Sequence, residues 1–200
     1  MKPRKPRPLI PIIATALLAA LAAVLYALSF PIFPQAPFLQ LDFSDIPALF
    51  AALAFGPAYG LAVNLIQNLI GLITGSFAAH AGFGNLMNFV VGAAFVVPYA
   101  VIMRRARKKH GQVGGKTLFL ASAVSTASII VIGFGMNTIV LPLFFRLVIG
   151  MPPADIWAMV WSTIIFSTAL NAIKGVMLSL AGAAMHHLKL ERFLKFSQKT

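Results

Sequence analysis

Three polar side chains stand where an apolar chain can least accommodate them. Lys174 lies 13 residues beyond Trp161 and 15 residues before Lys189. On a helix that is roughly 20 Å from either one, at ~1.5 Å per residue. An ammonium so far from both interfaces cannot easily snorkel to water. It costs several kcal/mol unless paired, and it marks a functional site. The plainer alternative is packing against backbone carbonyls. Asn171 sits one turn earlier on the same helix face. Asn137 lies on the preceding apolar run, nine residues before Arg146. The three converge in the outer half of one bundle. Asparagine alone can join helices, but two amides and an ammonium at one level suit a ligand pocket.

Other residue patterns invite chemistry and do not support it. Asp42 and Asp45 could be catalytic carboxylates, but the remaining acids, Asp155 and Glu191, fall on opposite sides of a membrane. Asp42, Ser44 and Asp45 just before Pro47 read as capping of a helix start and ordering of a loop. His110-Gly-Gln-Val-Gly-Gly-Lys-Thr117 resembles a phosphate-binding loop, but that motif requires glycine where His110 stands. His186 and His187 are adjacent, point apart on a helix and lack further ligands, so no metal site is expected. Asn64, Gln67 and Asn68 form a second polar patch, and Asn85 and Asn88 follow it. Some of these must be helix–helix hydrogen bonds. Residues 30–43 hold Pro31, Pro34 and Pro37, which prevent regular helix, among Phe30, Phe33, Phe38 and Phe43. They read as a lid over a planar ligand, the plainer alternative being an aromatic belt. Ala16-x-x-x-Ala20 and Ala19-x-x-x-Ala23 permit close helix approach.

The elements that must position these residues follow from composition. The 200 residues are 60% hydrophobic and 10% charged, with a mean hydropathy of +0.90. A soluble domain is about a quarter charged, so soluble enzymes and disordered chains are excluded. An integral all-α membrane protein is expected. The absence of cysteine removes disulfides and thiolate chemistry. The net charge of +12 is not a nucleic-acid signal. Basic residues cluster at 2–7, 104–116 and 189–199, beside apolar runs, which is the positive-inside pattern. They can also touch anionic headgroups. Both 2–7 and 104–116 should be cytoplasmic, so an even number of crossings separates them. That splits the run Phe43–Gly75 at Gly56-Pro57. The result is one domain over residues 1–200 with six transmembrane helices near 9–29, 44–56, 59–75, 85–103, 117–149 and 155–187, both termini cytoplasmic. The first half of the split run is short for a crossing. Segments 31–43, 76–85 and 150–155 lie outside, and 188–196 forms a basic amphipathic tail. The spans show no obvious acid for a proton relay, which argues against a proton-coupled secondary transporter.

Taken together, the residues resemble a known family. The run Pro37-Phe-Leu-Gln-Leu-Asp-Phe-Ser-Asp-Ile-Pro-Ala-Leu49, then Ala54-Phe-Gly-Pro57 and Gly60, is similar to the riboflavin-specific S components of energy-coupling factor (ECF) vitamin transporters. The likeness continues through Asn68-Leu69, Gly84-Asn-Leu-Met-Asn-Phe-Val-Val-Gly92, Asn137 before Leu141-Pro-Leu143, and Asn171-Ala-Ile-Lys-Gly175. It spans about residues 14–180 in order. It implies a non-enzymatic, multi-pass cell-membrane subunit that captures riboflavin from outside, needs no cofactor, and docks on a transmembrane coupling (T) component carrying two cytoplasmic ATPases. The S component is expected to tilt bodily during transport. Asn137, Asn171 and Lys174 are implied as flavin-binding residues. The loop Phe38, Leu39, Gln40, Leu41 and Asp42 would help close over the ligand, and Asn88 joins the expected site. Ala16 and Ala20 are implied as the coupling surface. FMN is a second ligand the site admits, because Lys174 or Arg146 can meet a phosphate; thiamine or another vitamin is a further alternative. One departure is visible. Family members often carry an acid and a base where Asn64 and Gln67 stand here.

Overall fold

The computed structural model describes residues 9–76 and 82–188. The basic cluster at 2–7, part of the 76–85 segment and nearly all of the expected tail lie outside the described residues. Six helices dominate: α1 (Leu9–Ala27), α2 (Asp45–Ala54), α3 (Pro57–Gly71), α4 (Phe83–His110), α5 (Gly115–Leu147) and α6 (Pro153–His187). A π-helical turn, Leu72–Ser76, continues α3. Between α1 and α2, two short strands, β1 (Phe30–Pro31) and β2 (Gln40–Leu41), pair antiparallel with Phe30 opposite Leu41. Among the described residues, five helices are long and apolar enough to cross a bilayer, and α2 is shorter.

The outside of the bundle is apolar. Ile13, Leu17 and Leu21 on α1, Val131 on α5, and Ile165 and Leu180 on α6 are all exposed. That inversion of the soluble pattern is what a lipid-facing surface requires. Polar groups point inward: Asn64, Gln67, Ser125 and Asp45 have no exposed surface.

The helices alternate in direction, and close contacts fix the alternation. Gly71 at the end of α3 abuts Tyr26 at the end of α1. Gly71 also abuts Asn85 early in α4, while Gly60 early in α3 abuts Val96 midway along α4. On α5 and α6, Gly133 meets Asn171 while Thr126 meets Gly175. The α2–α3 turn, the α4–α5 turn and the last turn of α6 therefore share one end, which carries Arg104–Lys109 and is called here the basic end. The β1–β2 loop and the α5–α6 turn lie at the opposite end.

Helix α2 is only 10 residues, about 15 Å by helix rise, against the expected 44–56. The chain descends from the β1–β2 loop as non-helical backbone through Leu41–Ser44 and becomes helical only at Asp45. Irregular backbone at membrane depth is tolerated where protein surrounds it, and eight of the ten α2 residues are buried. Gly56 ends the helix at φ 129°, a conformation open to glycine, and Pro57 starts α3 with its φ already helical. The fourth span does not stop at residue 103. Its helix carries the basic run to His110 and ends on left-handed Gly111 (φ 70°). Pro142 leaves α5 continuous over 33 residues.

Packing of α2 on α3 depends on small residues. A Cβ on Gly60 would stand 2.6 Å from Ala52 Cβ and 2.7 Å from the Ala48 carbonyl oxygen. Gly60→Leu should cost about 1–3 kcal/mol through overpacking. A lower thermal midpoint in detergent, with Ala20→Leu on the exposed face of α1 as the unaffected control, checks this.

Candidate substrate-binding site

The polar trio is brought together as the spacing predicts. Asn137 on α5, and Asn171 and Lys174 on α6, line one cavity in the half of the bundle away from the basic end. Its volume is about 130 Å3, many times the ~10–15 Å3 that one water needs. The space suits an organic molecule rather than a structural water.

Three helices contribute stripes at one-turn spacing. Asn137, Val140, Leu141 and Phe144 come from α5; Ser167, Leu170, Asn171 and Lys174 from α6; Phe83, Gly84, Met87, Asn88 and Val91 from α4. Offsets of three, four and seven put side chains on one helix face, so the apolar members could have been found by walking a turn at a time from each asparagine. Phe38, Leu39 and Gln40 close the wall from the loop. Leu41 and Asp42, expected with them, do not line it. Asp42 is drawn to Lys174 instead.

That pairing corrects the reading of the two aspartates. Asp42 does order its loop, since its Oδ1 accepts hydrogen bonds from the Ser44 backbone N–H at 2.8 Å and from the Ser44 hydroxyl. Ser44, however, makes no side-chain cap, and Asp45 turns its carboxylate inward. Lys174 Nζ lies 3.2 Å from Asp42 Oδ2 and 2.7 Å from Asp45 Oδ2. It also donates to Asn88 Oδ1 at 2.7 Å. Lys174 and both aspartates are buried, Lys174 being 4% and Asp45 0% exposed, and Asn88 is half-buried. Two acids thus stand inside the bundle where none was expected, and both are committed to the ammonium. Glycine makes this possible, because a Cβ on Gly92 would overlap Asp45 Oδ1 and Asn64 Nδ2.

Beyond Asn88 the hydrogen bonds form a line through the second polar patch. Asn88 Nδ2 donates to Asn68 Oδ1 at 3.3 Å, and Asn68 Nδ2 donates to Asn64 Oδ1 at 2.8 Å. Asn64 Nδ2 then donates to the Phe89 carbonyl oxygen at 3.1 Å. Each amide accepts on one side and donates on the other, so the line orients Asn88 toward Lys174. Gln67, on the same helix, is buried with no hydrogen-bond partner among the described residues.

The two asparagines of the trio differ. Asn137 Nδ2 meets the Ser167 hydroxyl. Asn171 is 5% exposed, its amide packs on Gly133, and it has no hydrogen-bond partner among the described residues. An amide that lines a cavity and has no internal partner keeps its donors and acceptor available to a ligand. At the mouth, the Phe38 ring lies 5.8 Å from Phe144 and Phe144 lies 6.1 Å from Phe83. Arg146 is exposed near the end of α5 and does not line the cavity.

The chain matches the family described as "ECF transporter, substrate-specific component" over residues 11–181. It belongs to that family. The family is a group of transporter subunits, not of enzymes, and the chain is a multi-pass membrane protein. It is 32% identical over 170 residues to "Riboflavin transporter RibU" of Staphylococcus aureus (strain TCH60), covering 84% of this chain and 83% of that one. It is 28% identical over 156 residues to "Riboflavin transporter FmnP" of Bacillus subtilis (strain 168), covering 78% of each. A solved structure described as "Structure and mechanism of the S component of a bacterial ECF transporter" superposes with a TM-score of 0.69 at 30% identity, over 92% of this chain and 97% of that one.

On the exposed face of this S component, Ala16 and Ala20 face outward while Ala19 is buried in the bundle. Among the described residues, no three His, Asp or Glu side chains are grouped to hold a metal.

Removing one partner of a buried ion pair is far worse than replacing the group whole. Lys174→Met, which strands two buried carboxylates, should destabilise by about 3–5 kcal/mol. The triple variant Asp42→Asn, Asp45→Asn, Lys174→Met should recover much of that loss. Thermal midpoints in one detergent test the ordering.

Proposed function

We propose that this S component captures riboflavin from the external side of the cell membrane and delivers it for ATP-driven uptake. A transmembrane coupling protein bearing two cytoplasmic ATPases would supply the drive. The observation that carries the ligand reading is Asn171: an amide without an internal hydrogen-bond partner among the described residues that lines a cavity with largely apolar walls. Isoalloxazine has apolar faces and a polar dione edge, and its ribityl tail carries hydroxyls. Asn171 can donate to a ring carbonyl and accept from a ring N–H at once. Asn137, Ser167 and Gln40 are suited to the hydroxyls, and Phe38, Phe83 and Phe144 to the ring faces. Lys174 holds the floor. Its donors are taken by Asp42, Asp45 and Asn88, so it shapes the site more than it reaches for ligand. The names of the relatives support the same substrate.

The positive-inside rule sets the orientation. The basic end is cytoplasmic, and the cavity opens outward beneath the β1–β2 loop. With six membrane-inserted segments both termini would be inside, α2 and the descending chain before it together making the second crossing.

The first test is an absorption spectrum of the protein purified in mild detergent. Stoichiometric flavin, released as riboflavin on denaturation, is the expected result. FMN in its place would change the substrate, and a colourless preparation that leaves added riboflavin fluorescence unquenched would remove flavin altogether. Asn171→Leu should weaken riboflavin binding by about 10- to 100-fold, from about 1–3 kcal/mol of lost hydrogen bonding. The thermal midpoint of the free protein should not fall, because no internal partner is lost. Unchanged affinity would take Asn171 out of the site.

Ala16 and Ala20 are proposed as the surface that meets the coupling protein. Small residues let a partner helix approach closely. Ala16→Trp should leave riboflavin binding intact and block uptake by the assembled transporter; normal uptake would contradict the assignment.

A further inference from the structure

Among the described residues, Lys174 is the cationic side chain on the wall of the substrate cavity. A phosphate on the ligand would depend on it, because Arg146 is exposed and does not line the cavity. An ammonium has three protons to donate. Three oxygens already crowd it: Asp42 Oδ2 at 3.2 Å, Asp45 Oδ2 at 2.7 Å and Asn88 Oδ1 at 2.7 Å. A phosphate oxygen could reach Lys174 only by displacing one of them.

The charge of this node follows from its own members. With both acids ionised, the two aspartates and the lysine carry one net negative charge. With one acid protonated they are neutral. In neither state is the floor of the cavity positive. Asp45 Oδ1 also has no hydrogen-bond partner among the described residues. The other polar side chains on the described wall, Gln40, Asn88, Asn137, Ser167 and Asn171, are uncharged. The first turn of α4 brings Phe83 and Gly84 to the wall and adds about half a positive charge there. A phosphate monoester carries about −1.5 to −2 at neutral pH. In an interior of low dielectric that excess is poorly screened.

We propose that Asp42 and Asp45 make this cavity selective for an uncharged flavin, so that it admits riboflavin and refuses the 5′-phosphate, FMN. By committing Lys174 internally, the two acids withhold the cation that a phosphate needs. The proposal rests on the flavin reading above and adds the charge class of the ligand. The admission of FMN through Lys174 or Arg146, expected from sequence, is thereby reversed.

The full chain, freed of flavin in a neutral detergent, is titrated with riboflavin, FMN and riboflavin 5′-acetate, a neutral ester enlarged at the same position. At about pH 8 histidine is neutral and the phosphate is a dianion. Affinity is read by isothermal titration calorimetry. FMN should bind about 30-fold or more weakly than riboflavin, and the acetate within about five-fold of it. In variants the riboflavin-to-FMN ratio is the quantity to follow, because a merely loosened site weakens both ligands alike. Asp42→Asn keeps the shape and removes one charge, and should narrow the ratio by about five-fold or more. Asp155→Asn removes the same charge from the first turn of α6, outside the cavity, and should leave the ratio unchanged. FMN binding as tightly as riboflavin to the unmodified protein would overturn the proposal, a comparison that stands even where a variant fails to fold. So would rejection of the acetate as strongly as FMN, which would mean size rather than charge. An unchanged ratio in Asp42→Asn, or equal narrowing in Asp155→Asn, would also overturn it. Failure of riboflavin itself to bind would remove the flavin reading and the proposal together, whereas equal binding of riboflavin and FMN would remove the proposal alone.

Discussion

A single ammonium organises the half of this protein away from the basic end. Lys174 meets a loop through Asp42, the start of α2 through Asp45, and α4 through Asn88. Its own helix supplies the fourth element. In a low-dielectric interior such a charge is tolerable only with its partners in place. The loop, the short helix and α4 must therefore be assembled for Lys174 to be buried at all. The cavity wall follows, because Phe38–Gln40 can seal it only while Asp42 is tied behind them. Binding capacity and the integrity of the bundle draw on the same contacts.

The asparagine line extends that node into α3. Four helices are then connected by directed polar contacts within a bundle whose other contacts are mostly methyl against methyl. Such contacts contribute modestly to stability in membranes. Their use lies in selection: a register shift of one residue in α3 or α4 would leave several amides unpaired. Gly92 and Gly60 supply the close approach that keeps those amides within reach of their partners.

Much of the site was legible before any coordinates. The depth of Lys174 follows from helix rise, and Asn171 follows from one-turn spacing. The alanine pair on α1 does face outward. What the sequence hid is long-range or irregular. Asp42 pairs with Lys174 across 132 residues, and local spacing favoured the capping reading of both aspartates. The brevity of α2 was partly visible, but not the extended chain that replaces its missing turns. The apolar wall residues, such as Met87 and Phe144, carry no chemical signature against an equally apolar background. Ser167 was missed because a hydroxyl on an apolar helix usually bonds to its own backbone. The α4 boundary was missed because hydropathy ends at Met103, whereas the helix continues through the basic residues to His110.

The lengths of the lipid-facing helices differ from one side of the bundle to the other. Exposed apolar residues run from Leu9 at the start of α1 to Leu28 just past its end, about 28 Å by helix rise. On α5 they run from Phe119 to Leu147, about 42 Å. A hydrocarbon layer is about 30 Å thick, so one flank matches it and the other overshoots. Mismatch costs fractions of a kcal/mol per Å and is relieved by tilt or by local thickening. The molecule therefore has an unequal waist. The bilayer meets two different heights on one molecule, and the difference is taken up by tilt of the longer helix or by a local change in thickness.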